Sequence, residues 1–113
     1  KGLVNRVAEK AIDVMREISD AQISSSIGPA ICGKCYEVSP EIFSEVTASH
    51  PESASRTTAN TPSLDLVTAL ISDLRKLGVT EIDNQSRCTL EHKDLYSYRR
   101  DGATGRQVGL VWL

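Results

Sequence analysis

Apolar residues recur at intervals of three and four positions in two long segments of the chain. The first segment covers residues 3–18, and the second begins at about Ser63 and ends at Leu77. This spacing is typical of an amphipathic helix that packs one face against a core. Gly78 is well placed to end the second helix, because glycine readily adopts the left-handed conformation found at helix ends. The pattern therefore predicts two long helices.

A third, shorter helix is predicted after Ser39-Pro40, where a capping residue precedes a proline in the first helical turn. The stretch that follows, residues 48–62, is rich in serine, threonine, alanine and asparagine and has no apolar period. We expect this stretch to form a long mobile loop within one domain.

Shorter apolar segments predict strands. The β-branched residues between Ile23 and Ile31 are interrupted by Gly28-Pro29, which predicts a strand followed by a tight turn and an irregular loop. Residues 79–82 and residues 108–113 are predicted to be two further strands. Helices and strands in this order predict an α+β fold in which a mixed sheet and helices form a layered sandwich.

Composition limits the class of protein. The 113 residues suffice for one small domain with its own core. A net charge of −2 argues against sequence-independent binding to DNA or RNA, which requires a basic surface. No apolar run approaches the roughly 20 residues of a membrane-spanning helix. We therefore expect a cytoplasmic protein with neither nucleic-acid nor membrane partners.

Three cysteines, Cys32, Cys35 and Cys88, lack the paired spacings of a disulfide framework, which suits a reducing compartment. Cys32 and Cys35 form a C-x-x-C pair, which occurs in zinc sites and in redox-active thiol pairs. Zinc would need two more ligands, and Cys88 and the two histidines show no second ligand pair at a matching spacing. Packed thiols are expected, with a small zinc-binding module built on Cys32 and Cys35 as an alternative.

Both histidines are expected to be exposed. His50 lies in the polar loop, and His92 lies between Glu91 and Lys93. No serine has a base at a recognisable spacing, so nucleophilic serine chemistry has no support. Three acidic residues of the predicted helices are also expected to face solvent: Asp13, Glu17 and Asp73.

Residues 96–106 combine two tyrosines, three arginines and a glycine-rich turn. In a strand Tyr96 and Tyr98 would share one face, and the residues up to Gly105 would reverse the chain. Guanidinium groups bind phosphate or carboxylate and stack on aromatic rings, so this hairpin predicts a site for an anionic or planar ligand. The alternative is a structural hairpin in which an arginine pairs with a nearby acid.

Three segments of the chain, taken together and in this order, form a pattern that resembles a known protein family. Residues 27–38 read IGPAICGKCYEV, Leu64-Asp65-Leu66 opens the second long helix, and Cys88-Thr89 precedes YSYRRDG and TGR. These segments resemble the YfiH-like family, also called the laccase-domain or multi-copper polyphenol oxidase family. They cover nearly the whole chain in the order found in that family.

The resemblance extends to the first residues. In the family an Arg/Lys-Gly pair follows a His-Ala-Gly-Trp motif, and Lys1-Gly2 resembles this pair. The resemblance implies that residues 1–113 are the C-terminal half of a single laccase domain with an α+β sandwich fold. It also implies that the zinc or copper ligands, two histidines and a cysteine, belong to an N-terminal half. No metal ligand or catalytic residue is therefore assigned in this chain.

The family implies an enzyme that acts on a purine nucleoside and phosphate, combining phosphorolysis with adenosine deamination, with polyphenol oxidation as an older description. The chain alone is expected to be inactive and to self-associate or to pair with the N-terminal half. A non-enzymatic module that binds an anion or a partner through the arginine hairpin is the alternative. Positions that match the family's hairpin and loop are the expected substrate-binding residues: Arg99, Arg100, Arg106, Gly28, Pro29 and Tyr36.

Overall fold

Residues 1–111 are described by the computed structural model, and within them lie four α-helices and four short strands. The helices are α1 (Val7–Ile18), α2 (Pro40–Ser49), α3 (Leu66–Lys76) and α4 (Tyr98–Asp101), with a 3-10 turn at Pro51–Ser53. The strands are β1 (Ser24–Ile27), β2 (Ala54–Arg56), β3 (Pro62–Leu64) and β4 (Glu81–Asn84). The predicted α+β content is confirmed.

The strands form two separate pairs instead of one mixed sheet. Strands β1 and β4 are parallel, with Ser24 opposite Glu81 and Ile27 opposite Asn84. Strands β2 and β3 are antiparallel. A parallel pair needs a long crossover connection, and here the connection contains α2, the antiparallel pair and α3.

The core lies between the two long helices and the parallel strands. Ile12 of α1, Leu74 of α3 and Ile27 of β1 form a buried cluster with Val79, which precedes β4. Burying such side chains removes apolar surface from water and is the main stabilising contribution to the fold. Helix α3 therefore packs its apolar stripe against this core, as predicted. Helix α1 contributes Ile12 and leaves Val14, Met15 and Ile18 of its predicted stripe exposed, so the prediction of a buried stripe on α1 is wrong.

Helix α3 ends as predicted, but it begins at Leu66 instead of about Ser63, because Ser63 and Leu64 belong to β3. The Asp65 side chain accepts a hydrogen bond from the Thr68 N–H at 2.9 Å and caps the first turn. Gly78 has φ 80°, the left-handed conformation that ends a helix and that glycine adopts without strain. Arg16 of α1 donates to the carbonyl oxygen of Leu77, so the end of α3 is tied to α1.

Helix α1 begins later than the apolar pattern predicts. Residues 2–6 form turns, and Arg6 has φ 54°, a left-handed conformation that interrupts the helical path. Helix α2 follows Ser39 as predicted, and the Ser39 hydroxyl accepts a hydrogen bond from the Ile42 N–H at 3.3 Å.

The prediction of a long mobile loop at residues 48–62 is wrong. This stretch contains the end of α2, the 3-10 turn, strand β2 and the first residue of β3. Ser53 is buried and donates from its hydroxyl to the carbonyl oxygen of His50 at 2.7 Å, while its own carbonyl accepts from the Asp65 N–H at 2.7 Å. Polar residues satisfy one another here, which explains why an ordered segment lacks an apolar period.

The predicted arginine hairpin is also wrong. Ser97 caps the short helix α4 by accepting from the Arg100 N–H at 3.3 Å, and the turn ends at Gly102 with φ 69°. Residues 108–111 are exposed and have no regular secondary structure, so the predicted last strand is not seen there. Residues 112–113 of that predicted strand lie outside the described residues. No helix within residues 1–111 has the length and apolar character needed to cross a bilayer.

Candidate functional site

The carboxyl ends of the parallel strands form an open edge. Gly28 and Pro29 directly follow β1, and both are exposed. A Cβ atom placed on Gly28 would have no neighbour within 4 Å. Ligands of proteins with parallel strands commonly bind beyond the carboxyl ends of those strands. Gly28 and Pro29 therefore lie where the topology favours a ligand.

A cleft of about 190 Å³ lies between the first turn of α3 and the segment that follows β4. Asp65 and Thr68 line it from the side of α3, and Asn84 and Arg87 line it from the other side. Sites for small-molecule ligands usually have volumes of about 300–1,000 Å³. The cleft is therefore smaller than a typical ligand site and has room for only one part of a ligand of that size.

Arg99 lies against Tyr36. The guanidinium carbon of Arg99 is 5.0 Å from the centroid of the Tyr36 ring, and Arg99 Nη1 donates to the carbonyl oxygen of Glu37 at 2.9 Å. The carbonyl oxygen of Tyr36 in turn accepts from the Leu64 N–H at 3.2 Å, which attaches the tyrosine to β3. Stacking fixes the plane of a guanidinium while some of its N–H groups stay accessible. Two of the six predicted substrate-binding residues are thus brought together at the surface.

Arg100 links its own helix to the preceding loop. It forms two hydrogen bonds with Asp101, Nε to Oδ1 at 2.8 Å and Nη2 to Oδ2 at 2.7 Å. These hydrogen bonds lower the pKa of the Asp101 carboxyl group. The guanidinium also donates to four backbone carbonyl oxygens at 2.8–3.4 Å: those of Thr89, Leu90, His92 and Leu95. The geometry of Arg100 agrees with the alternative in which an arginine of this segment pairs with a nearby acid.

Arg106 is exposed in the segment after α4. The residues on either side of it contact Tyr96. A Cβ atom on Gly105 would lie 2.8–2.9 Å from atoms of the Tyr96 ring, and Gln107 Nε2 donates to the Tyr96 carbonyl oxygen at 3.1 Å. Tyr96 therefore determines the path of the chain on which Arg106 stands.

The three cysteines meet at one place. The sulfur atoms of Cys32, Cys35 and Cys88 and one carboxylate oxygen of Glu91 all lie within 4.8 Å of one another. The Cys35 thiol donates to Glu91 Oε1 at 3.4 Å, and the Cys32 N–H donates to the Cys88 sulfur at 3.4 Å. All three thiols are free, with Cys88 buried and the other two half-buried. We call these four residues the thiol cluster.

The pKa values of the Cys35 and Cys88 thiols are shifted in opposite directions. Burial raises the pKa of the Cys35 thiol, and hydrogen bonds with Cys32, Glu91 and Cys88 raise it further. Burial also acts to raise the pKa of Cys88, but hydrogen bonds from the backbone N–H groups of Cys32, Glu91 and Leu90 outweigh burial and lower it. The backbone around Cys88 therefore favours its thiolate form.

His50 is not the solvated loop residue that the sequence predicts. It is buried, and its Nε2 atom lies 2.9 Å from Asp73 Oδ2, while its Nδ1 atom lies 2.9 Å from the Ser49 hydroxyl. Asp73, expected on a wet helix face, is therefore the partner of a buried histidine. His92 is exposed, as predicted, and contacts Arg87 through its Nδ1 atom at 3.0 Å.

Sequence reasoning did not connect Cys88 and Glu91 with the C-x-x-C pair. Cys88 and Glu91 stand three positions apart, the same interval that separates Cys32 from Cys35, and this repeated interval is a signal that the sequence carries. It was missed because 56 positions separate Cys32 from Cys88, and glutamate is a less usual zinc ligand than cysteine or histidine.

Comparison with known proteins identifies relatives. The chain is 42% identical over 114 residues to a purine nucleoside phosphorylase of Corynebacterium glutamicum, and 41% identical over 114 residues to one of Streptomyces griseus. It is 41% identical over 113 residues to a purine nucleoside phosphorylase of Mycobacterium bovis. These alignments include 99–100% of this chain and 44–46% of each relative, so the chain spans just under half the length of these curated relatives.

No solved structure gives a significant match to this chain. The family model described as multi-copper polyphenol oxidoreductase laccase matches residues 1–113. The match includes the IGPAICGKCYEV loop, the start of α3 and the arginine segment, the same segments that resemble the YfiH-like family. The chain belongs to the multi-copper polyphenol oxidoreductase laccase family, of the YfiH-like type.

Proposed function

We propose that this chain contributes an anion-binding surface to an enzyme that cleaves purine nucleosides with phosphate and deaminates adenosine. The names of its relatives support phosphorolysis, because each is a purine nucleoside phosphorylase. The observation that carries the proposal for this chain is the stacking of Arg99 on Tyr36 at the surface.

Phosphorolysis requires a cation for phosphate and a flat surface for the purine base. The accessible N–H groups of Arg99 suit a phosphate, since guanidinium and phosphate match in geometry and charge. The Arg99 guanidinium covers one face of the Tyr36 ring, so a planar base would stack on the other face or on the guanidinium itself. Arg106 is a second exposed cation in the segment after α4, and Gly28 and Pro29 are exposed at the carboxyl end of β1. We assign Arg100 to the same surface as the residue that holds α4 and therefore orients Arg99.

The family name implies copper, and the histidines do not fit a copper cluster. Multi-copper centres are held by several imidazoles in one place. His50 is paired with Asp73, whereas His92 contacts Arg87. We therefore derive no oxidation step through copper from the residues of this chain. In the proposed enzyme the zinc or copper of the reaction is bound by residues outside this chain.

Two further parts of the proposal follow. Residues 1–113 alone are expected to be inactive, because in the proposed enzyme the reaction metal is bound outside this chain, which spans just under half the length of its relatives. We also propose a cytoplasmic location, where the three free thiols would remain reduced.

The test is a kinetic comparison in the whole protein. Phosphorolysis and deamination of adenosine are measured for wild type, R99A, R106A and the control R75A, which removes an exposed arginine in the last turn of α3. Hydrogen bonds to charged groups contribute about 1.5–3 kcal/mol, so R99A is expected to raise KM for phosphate by about 10- to 100-fold while KM for adenosine changes less. R75A should leave both reactions unchanged.

Unchanged phosphorolysis in both R99A and R106A would contradict the role of this surface. If these variants then lost binding to an anionic partner of the protein instead, the alternative of a non-enzymatic anion-binding module would be favoured. For the same substitutions, the proposed enzyme predicts a change in the kinetics of phosphorolysis, whereas the non-enzymatic module predicts a change in partner binding.

A further inference from the structure

We propose that Cys32, Cys35, Cys88 and Glu91 form a structural zinc site that joins the loop after β1 to the turn after β4. The inference is independent of the proposed function, because it concerns how the chain is held together. It also differs from the reaction metal of the proposed enzyme, whose ligands lie outside this chain.

The ligand atoms are already close to tetrahedral spacing. All four lie within 4.8 Å of one another, and Cys35 Sγ is 3.4 Å from Glu91 Oε1. With Zn–S bonds of about 2.3 Å, the sulfur atoms of a tetrahedral site lie about 3.8 Å apart. Binding therefore requires the side chains to move by only about 1 Å, within the range of side-chain rotation.

The backbone that carries the ligands is independently ordered. Ala30 pairs with Cys88 in a parallel bridge: the Ala30 N–H donates to the Arg87 carbonyl at 3.2 Å, and the Thr89 N–H donates to the Ala30 carbonyl at 3.2 Å. The N–H groups of Cys35 and Tyr36 both donate to the Cys32 carbonyl at 3.0 Å. Two tight turns, each with ligands three positions apart, therefore face each other.

Gly33 explains how the C-x-x-C turn fits. A Cβ atom at this position would lie 2.8 Å from Ser55 Oγ and 2.9 Å from Asp65 Cβ, so the turn packs directly against β2 and the start of α3. The turn cannot move away from Cys88 without losing this packing. The arrangement thus presents the cysteines toward Glu91 in a fixed orientation.

The donor set selects the metal and its role. Three thiolates disfavour Mg²⁺ and Ca²⁺, which prefer oxygen ligands, and suit zinc or Cu(I). The carboxylate of Glu91 favours zinc of these two, because Cu(I) prefers soft ligands. Four protein ligands fill the tetrahedral shell and leave no position for a water or substrate, which is the pattern of a structural site. Bound zinc would fix Cys35 next to Tyr36, and Glu91 next to the carbonyl oxygens that Arg100 contacts at Thr89 and Leu90. The zinc site would therefore fix the position of the segment that carries Tyr36 and of the loop that Arg100 contacts, both of which belong to the proposed anion-binding surface.

The test uses the whole protein, purified under reducing conditions and reloaded with Zn²⁺ after chelation. Metal content by plasma mass spectrometry is expected to fall by one zinc per chain from wild type to C88S. The loss of a residue that only hydrogen-bonds to a metal ligand lowers metal affinity about 10- to 100-fold. E91Q changes a ligand itself, so it is expected to weaken zinc binding at this site at least about tenfold, measured in competition with a chelator. The matched control E81Q, an exposed glutamate of β4, should bind as wild type does.

Co²⁺ substitution reports on the ligands without any activity assay. Wild type should show thiolate-to-cobalt charge transfer and tetrahedral ligand-field bands; C88S should lose most of this absorption, whereas E91Q should keep the charge transfer with shifted ligand-field bands. Equal zinc content in wild type and C88S would overturn the proposal. So would a disulfide between two of these cysteines in the protein taken directly from cells under thiol-blocking conditions.

Discussion

The guanidinium of Arg99 lies over the ring of Tyr36, 5.0 Å from its centroid, and the same arginine donates to the carbonyl oxygen of Glu37. Sixty-two positions separate Arg99 from Glu37, so this contact joins α4 to the loop that precedes α2. The contact has consequences for stability as well as for ligand binding.

Arg99 and Tyr36 are expected to be energetically coupled. An exposed cation–π contact contributes about 0.5–1 kcal/mol, so R99A and Y36L together should cost less stability than the sum of the single variants by that amount. Urea unfolding of the two single variants and the double variant measures this coupling. Strictly additive free energies of unfolding would show that the stacking contributes nothing.

Replacing Arg100 is expected to destabilise the protein more than replacing Arg99. Arg100 satisfies four backbone carbonyl oxygens and Asp101, and R100K cannot reproduce this planar set of donors. R100K is expected to lower the free energy of unfolding clearly more than R75K does at its exposed site, because the lysine leaves several of these carbonyl oxygens without a donor. Equal stability of these two lysine variants would contradict the structural role of Arg100.

Acid should remove a stabilising contribution from Glu52. Hydrogen bonds from Lys76, from the Glu52 N–H and from Ser72 lower the pKa of Glu52 from 4.5 to about 2. A carboxyl group with a lowered folded-state pKa stabilises the protein above its unfolded-state pKa, and this contribution disappears as the pH falls through the folded-state value. The stability difference between wild type and E52Q should therefore shrink from pH 4.5 down to pH 2.

The measurement is the free energy of unfolding against pH for wild type, E52Q and K76Q. Because Lys76 is exposed and Glu52 is half-buried, high salt should reduce part of the difference between wild type and the variants. A pH-independent difference between wild type and E52Q would refute the assignment.

Gly33 and Gly28 are expected to respond differently to alanine. In G33A the new methyl group would lie within 2.9 Å of Ser55 and Asp65 atoms, and overpacking of this kind costs about 1–3 kcal/mol. G28A, where a Cβ has open space, should change stability by less than about 0.5 kcal/mol. Thermal unfolding of the two variants checks this, and similar melting temperatures would count against the close packing of the C-x-x-C turn.

Self-association is expected through apolar side chains that the fold leaves exposed on α1. Ile18 is 80% exposed, and Val14 and Met15 are about half exposed on the same helix. Exposed apolar patches commonly mark association surfaces. Sedimentation velocity should show a concentration-dependent dimer that I18E weakens. A stable monomer at every concentration would contradict this prediction.

The sequence by itself determined the elements whose signals are local. The sequence shows the two helices α1 and α3, the Ser39-Pro40 start of α2 and the left-handed Gly78, because helix periodicity and capping depend on residues within a few positions. Which face of α1 is buried was decided by its tertiary contacts, because Ile12 is buried whereas Val14 and Ile18 of the predicted stripe are exposed. The family was also recognisable, because it is carried by contiguous segments. These features need no knowledge of which distant residues meet.

Tertiary structure decided the rest, because it depends on contacts between distant positions. A run of polar residues became an ordered turn and strand once Ser53 and His50 found partners, and the expected hairpin became a helical turn once Arg100 bound the carbonyl oxygens of the preceding loop. The thiol cluster likewise exists only because Ala30 pairs with Cys88 across the chain. Sequence spacing indicates which side chains are available, and folding determines which of them become neighbours.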